Sequence, residues 1–250
     1  MSSALSVPPR DAVILAAGNG DRFKSSHHHS KLLHPVLGQP LILRTLETAA
    51  AAGIPTLNVV LGFEAERVRA AIERHRIPGA TVRFTFNPDW HLENGLSALK
   101  ARDLCDGRRF ALLMGDHLFE SKVLERLAAA KTSPGDSLLA VDKGEIDPAI
   151  ADEATRVRMD GDRLTAIGKH LDPWDALDTG LFIFTPTLFD ALDEARRNGE
   201  TTLSAGVQRL AARGLMRGVD IGAAAWCDVD TAADLSAAES LFGAAEPEHA

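Results

Sequence analysis

The 250-residue chain has no tyrosine, three tryptophans and two cysteines, and each scarcity removes a class of protein. Cys105 and Cys227 stand far apart without metal-type spacing, so neither a disulfide framework nor a zinc site is implied. So few aromatic rings leave little from which to build a cage for a quaternary ammonium. No apolar run approaches the roughly 18 residues of a membrane span, and the first ten residues lack the apolar core of a secretory signal. Basic residues are the minority: 27 Lys and Arg against 35 Asp and Glu give a net charge of −8. That sign is wrong for a general binder of nucleic acid or of anionic membranes. The expectation is a cytoplasmic protein with no nucleic-acid partner and no direct membrane insertion.

What is present is ordinary for a folded domain, with 45% apolar and 25% charged residues. The length is enough for one large α/β domain with a substantial core. Residues 1–10 read as a flexible lead-in and residues 244–250 as a loose tail, leaving residues 11–243 as a single domain.

The most informative stretch is residues 11–31, DAVILAAGNGDRFKSSHHHSK. Its apolar run, with Val13, Ile14 and Leu15, suits a strand buried on both faces, and it breaks at once into Gly18-Asn19-Gly20. Two glycines around a small polar residue permit a sharp turn, positive φ, and close approach of bare N–H groups to a ligand's oxygens. Arg22 and Lys31 follow, so two cations can converge on an anion held there. Together these residues describe a polyphosphate site; the alternative is an ordinary strand–turn–helix junction with surface cations. The Walker loop is excluded because it ends in Gly-Lys-Ser/Thr, and the dinucleotide fingerprint because its third glycine would fall at Phe23. His27, His28 and His29 are consecutive in a loop and cannot all face one ion, so the loop reads as the carrier of Lys31.

Strand–helix alternation follows. Pro40 opens a helix that Gly53 stops, residues 57–61 form a strand ended by Gly62, and residues 64–75 form a helix. Residues 82–86 alternate as a strand, residues 94–105 are helical, and residues 109–114 form a strand ending at Gly115-Asp116. This spacing predicts right-handed βαβ units and a largely parallel sheet. Ligands then sit beyond the carboxyl ends of the strands, where Gly18 and Asp116 both fall. Past residues 138–141 the pattern changes to a hairpin over residues 155–169, a strand at 181–184, helices at 188–197 and 203–213, a strand at 223–228 and a closing helix at 231–242. The fold class expected is α/β and Rossmann-like: a mostly parallel mixed sheet flanked by helices, with a smaller mixed-sheet lid region.

Asp116 follows one apolar strand, and Asp228-Val229-Asp230 ends another. Hard divalent ions take oxygen ligands, typically one or two carboxylates with substrate phosphates and water, so Asp116 and Asp228 are the expected metal ligands, for Mg²⁺. Asp230, just before Thr231, reads equally as a helix cap. Asn87, Asn94 and Ser97 carry the amides and hydroxyl that could match a ligand's amino donor and carbonyl acceptor, or could serve turns and caps. Glu153 and Asp178 could accept from a ligand's hydroxyls or pair with Arg156 or Arg158.

Leu15-Ala16-Ala17-Gly18-Asn19-Gly20-Asp21-Arg22, with Lys31 ahead of an apolar entry, resembles the nucleotidyltransferase pattern Leu-Ala-Ala-Gly-x-Gly-x-Arg. Gly115-Asp116-His117, Asn94-Gly95-Leu96-Ser97, the run from Glu153 to Arg158, Ile167-Gly168-Lys169, Asp178-Thr179-Gly180 and Trp226 to Thr231 are similar to blocks of the inositol-1-phosphate cytidylyltransferases, in the same order. The likeness runs from about Ala12 to Leu241. That resemblance implies transfer of CMP from CTP to inositol 1-phosphate, giving CDP-inositol and pyrophosphate, with residues 11–142 as the nucleotide half and 143–243 as the acceptor half. It implies that Leu15 to Gly20 hold the nucleotide with Arg22, that Lys31 bridges the reacting phosphates, and that Lys169 binds the acceptor's phosphate. One departure is Ser30, where that branch usually has proline, and it keeps phosphocholine, a phosphonate or a sugar 1-phosphate open as acceptors. A nucleotide-binding domain without turnover is the reading from another class, opposed by the joint presence of Lys31, Asp116 and Asp228. The partners expected are CTP, a small phosphorylated acceptor and a separate downstream transferase for the CDP product; a homodimer is left open.

Overall fold

The computed structural model describes residues 9–20, 30–144 and 154–243. The apolar run after Arg10 forms β1 (Asp11–Ala16), buried along its length, which pairs in parallel with β4 (Thr56–Leu61) on one side and β6 (Phe110–Met114) on the other. Its side chains divide by parity. Ala12, Ile14 and Ala16 enter a core with α1 (Leu41–Ala51), α2 (Ala65–Glu73) and α4 (Ser121–Ala129). Val13 and Leu15 enter a second core with α3 (Asn94–Leu99), α5 (Thr187–Arg197) and α6 (Leu203–Ala212). A strand between two apolar layers needs an unbroken apolar run rather than alternation.

Among the described residues, one nine-stranded sheet runs through the molecule. β5 (Thr81–Phe86) lies at one edge beside β4, in parallel. Beyond β6 the sheet becomes mixed. β11 (Ala176–Phe184) runs antiparallel to β6 and to β8 (Ser137–Asp142), and β12 (Met216–Asp220) lies parallel to β8. The expected hairpin is β9 (Arg156–Asp160) with β10 (Arg163–Gly168). Because β11 is antiparallel to β6, its first residues lie beside the carboxyl end of β6. Among the described residues, no helix is long and apolar enough to cross a membrane.

Several elements differ from the expectation. The helix predicted to reach Cys105 stops at Leu99 and continues as a tight 3₁₀ turn over Arg102–Leu104, which keeps Ala98, Ala101 and Cys105 all buried. The final strand is short, β13 (Trp226–Asp228), and it pairs with β7 (His117–Phe119), which was not expected. β12 was also not expected. Its sequence, Met-Arg-Gly-Val-Asp, has no apolar run, and its neighbours make it a strand: β8 along its whole length and β10 at Arg217.

A third core closes the site end. Val36 of β2 (Pro35–Val36), Leu41, Leu118 and Val229 pack with Ala238 of α7 (Ala232–Gly243). β2 turns back into β3 (Gln39–Pro40) through Leu37 and Gly38, both at positive φ. Pro40 lies just before α1, not in its first turn, and Gly53 stops the chain at φ +87° as expected.

Candidate active site

β1 ends by placing Ala17 in the core and Gly18 in solvent. The turn is pinned by Phe63 N–H donating to the Ala17 carbonyl at 2.9 Å and Gly115 N–H donating to the Leu15 carbonyl at 2.9 Å. Gly20 has φ +64°, and a Cβ there would lie 3.0 Å from the Lys31 Cγ and Cδ atoms. The missing side chain is therefore what lets the turn rest on the lysine stem. Gly20→Ala is expected to displace that stem, lowering turnover about tenfold or more and stability by about 1–3 kcal/mol. Steady-state kinetics and thermal unfolding check both; an unaltered rate would uncouple the turn from Lys31.

Leu32 enters the main core and so anchors the short turn that carries Lys31. Lys31 is 6% exposed, yet its ammonium lies 2.7 Å from Asp116 Oδ2 and 2.5 Å from Asp230 Oδ1. Burial alone would lower its pKa, but the attraction of Asp116 and Asp230, then Asp228, raises it well above the ordinary lysine value. It is a fixed positive charge.

Asp116 sits in the turn between β6 and β7. The β13–β7 register brings Asp228 opposite His117. His117 is buried: its Nδ1 meets the Thr179 carbonyl at 2.8 Å, and its Nε2 lies 3.3 Å from Asp228 Oδ1 and 3.8 Å from Asp116 Oδ1. Burial pulls its pKa down, but Asp228, Asp116 and the Thr179 carbonyl raise it to about 9. The ring occupies a slot made by Gly180, whose φ is +75° and whose added Cβ would meet His117 Cε1 at 2.5 Å. Gly180→Ala is therefore expected to cost about 1–3 kcal/mol from backbone strain, and more from expelling the ring. A denaturation midpoint equal to wild type would show that the slot is not needed. Asp178 stands beside this pair. Burial pushes its carboxyl up to about 6, against the Gly180 N–H and the charge of His117.

The structure thus brings together, at the carboxyl edge of the sheet, the turn from Leu15 through Ala16, Ala17, Gly18 and Asn19 to Gly20, with Lys31, Asp116, Asp178 and Asp228. Asn87 donates from Nδ2 to Ser97 Oγ at 2.9 Å, and its Oδ1 accepts from Asp89 N–H at 3.1 Å. Asn94 Oδ1 accepts from Leu203 N–H at 2.9 Å, which ties α3 to α6; the residue before the helix is Glu93. Asp178 accepts from Gly180 N–H at 2.8 Å rather than from an arginine. Lys169 follows β10 and is exposed. Arg22, Glu153 and the three histidines lie outside the described residues.

Two site residues escaped the sequence reading. Capping of α7 falls to Thr231, whose Oγ1 accepts from Asp234 N–H at 3.2 Å while Asp234 Oδ2 accepts from Thr231 N–H at 2.7 Å. Asp230 is thereby left for Lys31. His117 was visible only as part of Gly-Asp-His; its partner Asp228 is over a hundred positions away in sequence. Asp116, His117 and Asp228 each offer a ligand atom, all within 4.8 Å of one another, a set that could hold a divalent cation.

Residues 12–214 match the profile of the MobA-like NTP transferase domain. The chain is 36% identical over 235 residues to a protein of Rubrobacter xylanophilus named "Bifunctional IPC transferase and DIPP synthase", covering 92% of this chain and 51% of that one. It is 40% identical over 126 residues to the "CMP-5'-(3-aminopropyl)phosphonate synthase" of Streptomyces rubellomurinus, covering 50% of this chain and 20% of that one. The chain spans about half the length of the bifunctional curated relatives it matches. The solved inositol-1-phosphate CTP transferase from T. maritima superposes with a TM-score of 0.85 at 22% identity, over 98% of this chain and 99% of that one. At that identity the likeness speaks for the fold alone.

Proposed function

The chain belongs to the MobA-like NTP transferase family, and we propose that it transfers CMP from CTP to inositol 1-phosphate with Mg²⁺, releasing pyrophosphate and forming CDP-inositol. The observation that carries this reading is Lys31, a buried ammonium at the end of a glycine turn, held by two carboxylates at 2.7 and 2.5 Å. The relatives' names support the chemistry: one names CMP, and another names an IPC transferase.

An oxygen of the acceptor's phosphate attacks the α-phosphorus of CTP in line; the bond to the β-phosphate breaks and pyrophosphate leaves. Little covalent help is needed, so the residues act by position and charge. Backbone N–H groups of residues 17–20, with Arg22, hold the β- and γ-phosphates. Lys31 exchanges its carboxylate partners for the α-phosphate and the attacking phosphate, where negative charge crowds. Asp116 and Asp228 would hold Mg²⁺, whose charge would add neutralisation at the α-phosphate, and oxygen donors of this kind suit it. Asn87, Asn94 and Ser97 line the cytosine end. Lys169 takes the acceptor's phosphate, while Glu153 and Asp178 take its hydroxyls.

The tryptophans favour a hydroxyl-rich acceptor over choline. Trp174 carries the Arg156 guanidinium over its ring at 5.7 Å, Trp90 packs on Phe63 at 5.2 Å, and Trp226 donates to Asp142 Oδ2 at 2.8 Å. A cage needs faces turned to the ligand. The test is pyrophosphate release with Mg²⁺, crossing CTP, UTP, ATP, GTP and dTTP with inositol 1-phosphate, phosphocholine, 2-aminoethylphosphonate and glucose 1-phosphate. Turnover confined to CTP with inositol 1-phosphate is expected. Turnover with another acceptor would keep the mechanism and replace the acceptor; nucleotide binding without any turnover would sink the enzyme reading.

A further inference from the structure

We propose that Glu64 is a positioning residue for Lys31, acting through the backbone N–H of Ser30; this rests on the reading that Lys31 meets the phosphates. Ser30 immediately precedes Lys31 and is 2% exposed. Its N–H donates to Glu64 Oε2 at 2.6 Å, and its carbonyl accepts from Leu33 N–H at 3.0 Å. Its hydroxyl is buried and has no hydrogen-bond partner among the described residues. The peptide group, not the side chain, holds this residue in place.

Glu64 is unusual in its own backbone. It has φ +48° and ψ 35°, the left-handed region, which residues with long side chains rarely adopt. It stands just before α2, where a side chain commonly caps the first turn, yet its carboxylate makes no cap bond. One oxygen meets Arg67 at 2.6 Å, and the other receives Ser30. A carboxylate accepting from an amide makes one of the stronger hydrogen bonds. Lys31 is thus constrained at three levels: Glu64 at the backbone, Gly20 along the stem, and Asp116 with Asp230 at the ammonium. When substrate phosphates take over the ammonium, the backbone anchor is what keeps the reach unchanged.

The geometry also supplies its own test. Ser30 has φ −51°, within reach of a proline ring, which would fix that angle but has no N–H to donate. A double-mutant cycle therefore isolates the contact. Glu64→Ala is expected to lower kcat about tenfold with a smaller change in the KM for CTP, because a misplaced catalytic group costs rate steeply. In the Ser30→Pro background the same replacement is expected to cost less than about twofold. Glu64→Gln, which keeps an oxygen acceptor, retains most of the rate. Equal losses in both backgrounds, no loss in the Ser30 protein, or a Gln loss as large as the Ala loss overturns the proposal.

Amide hydrogen exchange of the peptide containing Ser30 and Lys31 is the readout that needs no substrate. Glu64→Ala accelerates it about tenfold or more at an unchanged global unfolding midpoint; exchange equal to wild type overturns the proposal. A wild-type protein inactive across the whole substrate grid would bring down the reading of Lys31 in catalysis, while the exchange measurement still decides whether Glu64 holds the Ser30 peptide.

Discussion

Replacing Lys31 with methionine is expected to lower kcat by about 10²–10³-fold, the usual loss when one preorganised charge contact is removed from a transition state. Methionine keeps the stem that rests against Gly20 and deletes only the ammonium. The KM for CTP should move less than kcat, since the charge matters most where attacking and α-phosphates crowd together. The same replacement acts on the resting protein. Asp116 and Asp230 would face each other with no cation between them, at side-chain exposures of 26% and 13%. A fully buried charge left alone costs about 3–5 kcal/mol; partial exposure brings the expected loss here to about 2 kcal/mol. Added Mg²⁺ should then raise the unfolding midpoint of the variant more than that of the wild type, because it replaces the missing charge. A variant that kept a tenth of its turnover would take Lys31 out of the reaction.

Asp116→Asn is the second large effect. The amide has nearly the shape of the carboxylate, so the turn between β6 and β7 stays intact while its charge is lost. Mg²⁺-dependent turnover should fall by about 10²–10³-fold, and the thermal stabilisation of the wild type by Mg²⁺ should vanish. Asp228→Asn is expected to raise the Mg²⁺ concentration needed for half-maximal rate. Asp230→Asn should leave that concentration in place and lower kcat, since Asp230 meets Lys31 in the resting site. A Mg²⁺ titration of the three variants separates these roles, and full activity in Asp116→Asn would remove the metal assignment.

Much of the fold could be read in advance because it is written in local patterns. The apolar run of β1, the glycine turn after it and the strand ending before Asp116 each declare themselves within a few residues. Their placement at the carboxyl edge follows from strand–helix alternation alone. Two of the strands missed, β7 and β12, carry no such pattern. β7 has three residues and exists because β13 pairs with it; β12 is polar along much of its length and exists because β8 lies beside it. Strand propensity is largely a statement about neighbours, and neighbours are tertiary.

The site divides along the same line. The sequence by itself determined which residue types are available and in what order: a turn able to present N–H groups to an anion, a lysine beyond it, and acids after two separate strands. Only the tertiary structure decided which acids meet that lysine. Asp230 lies 199 residues from Lys31, and it could serve because Thr231 and Asp234 took over the capping of α7. The slot for His117 is cut by Gly180, and the peptide before Lys31 is held by Glu64 from 34 residues away. The physical reason is that a charge or hydrogen bond acts over a few ångströms of space, whatever the separation along the chain. Periodicity records which face of an element is buried; it carries no record of what stands opposite.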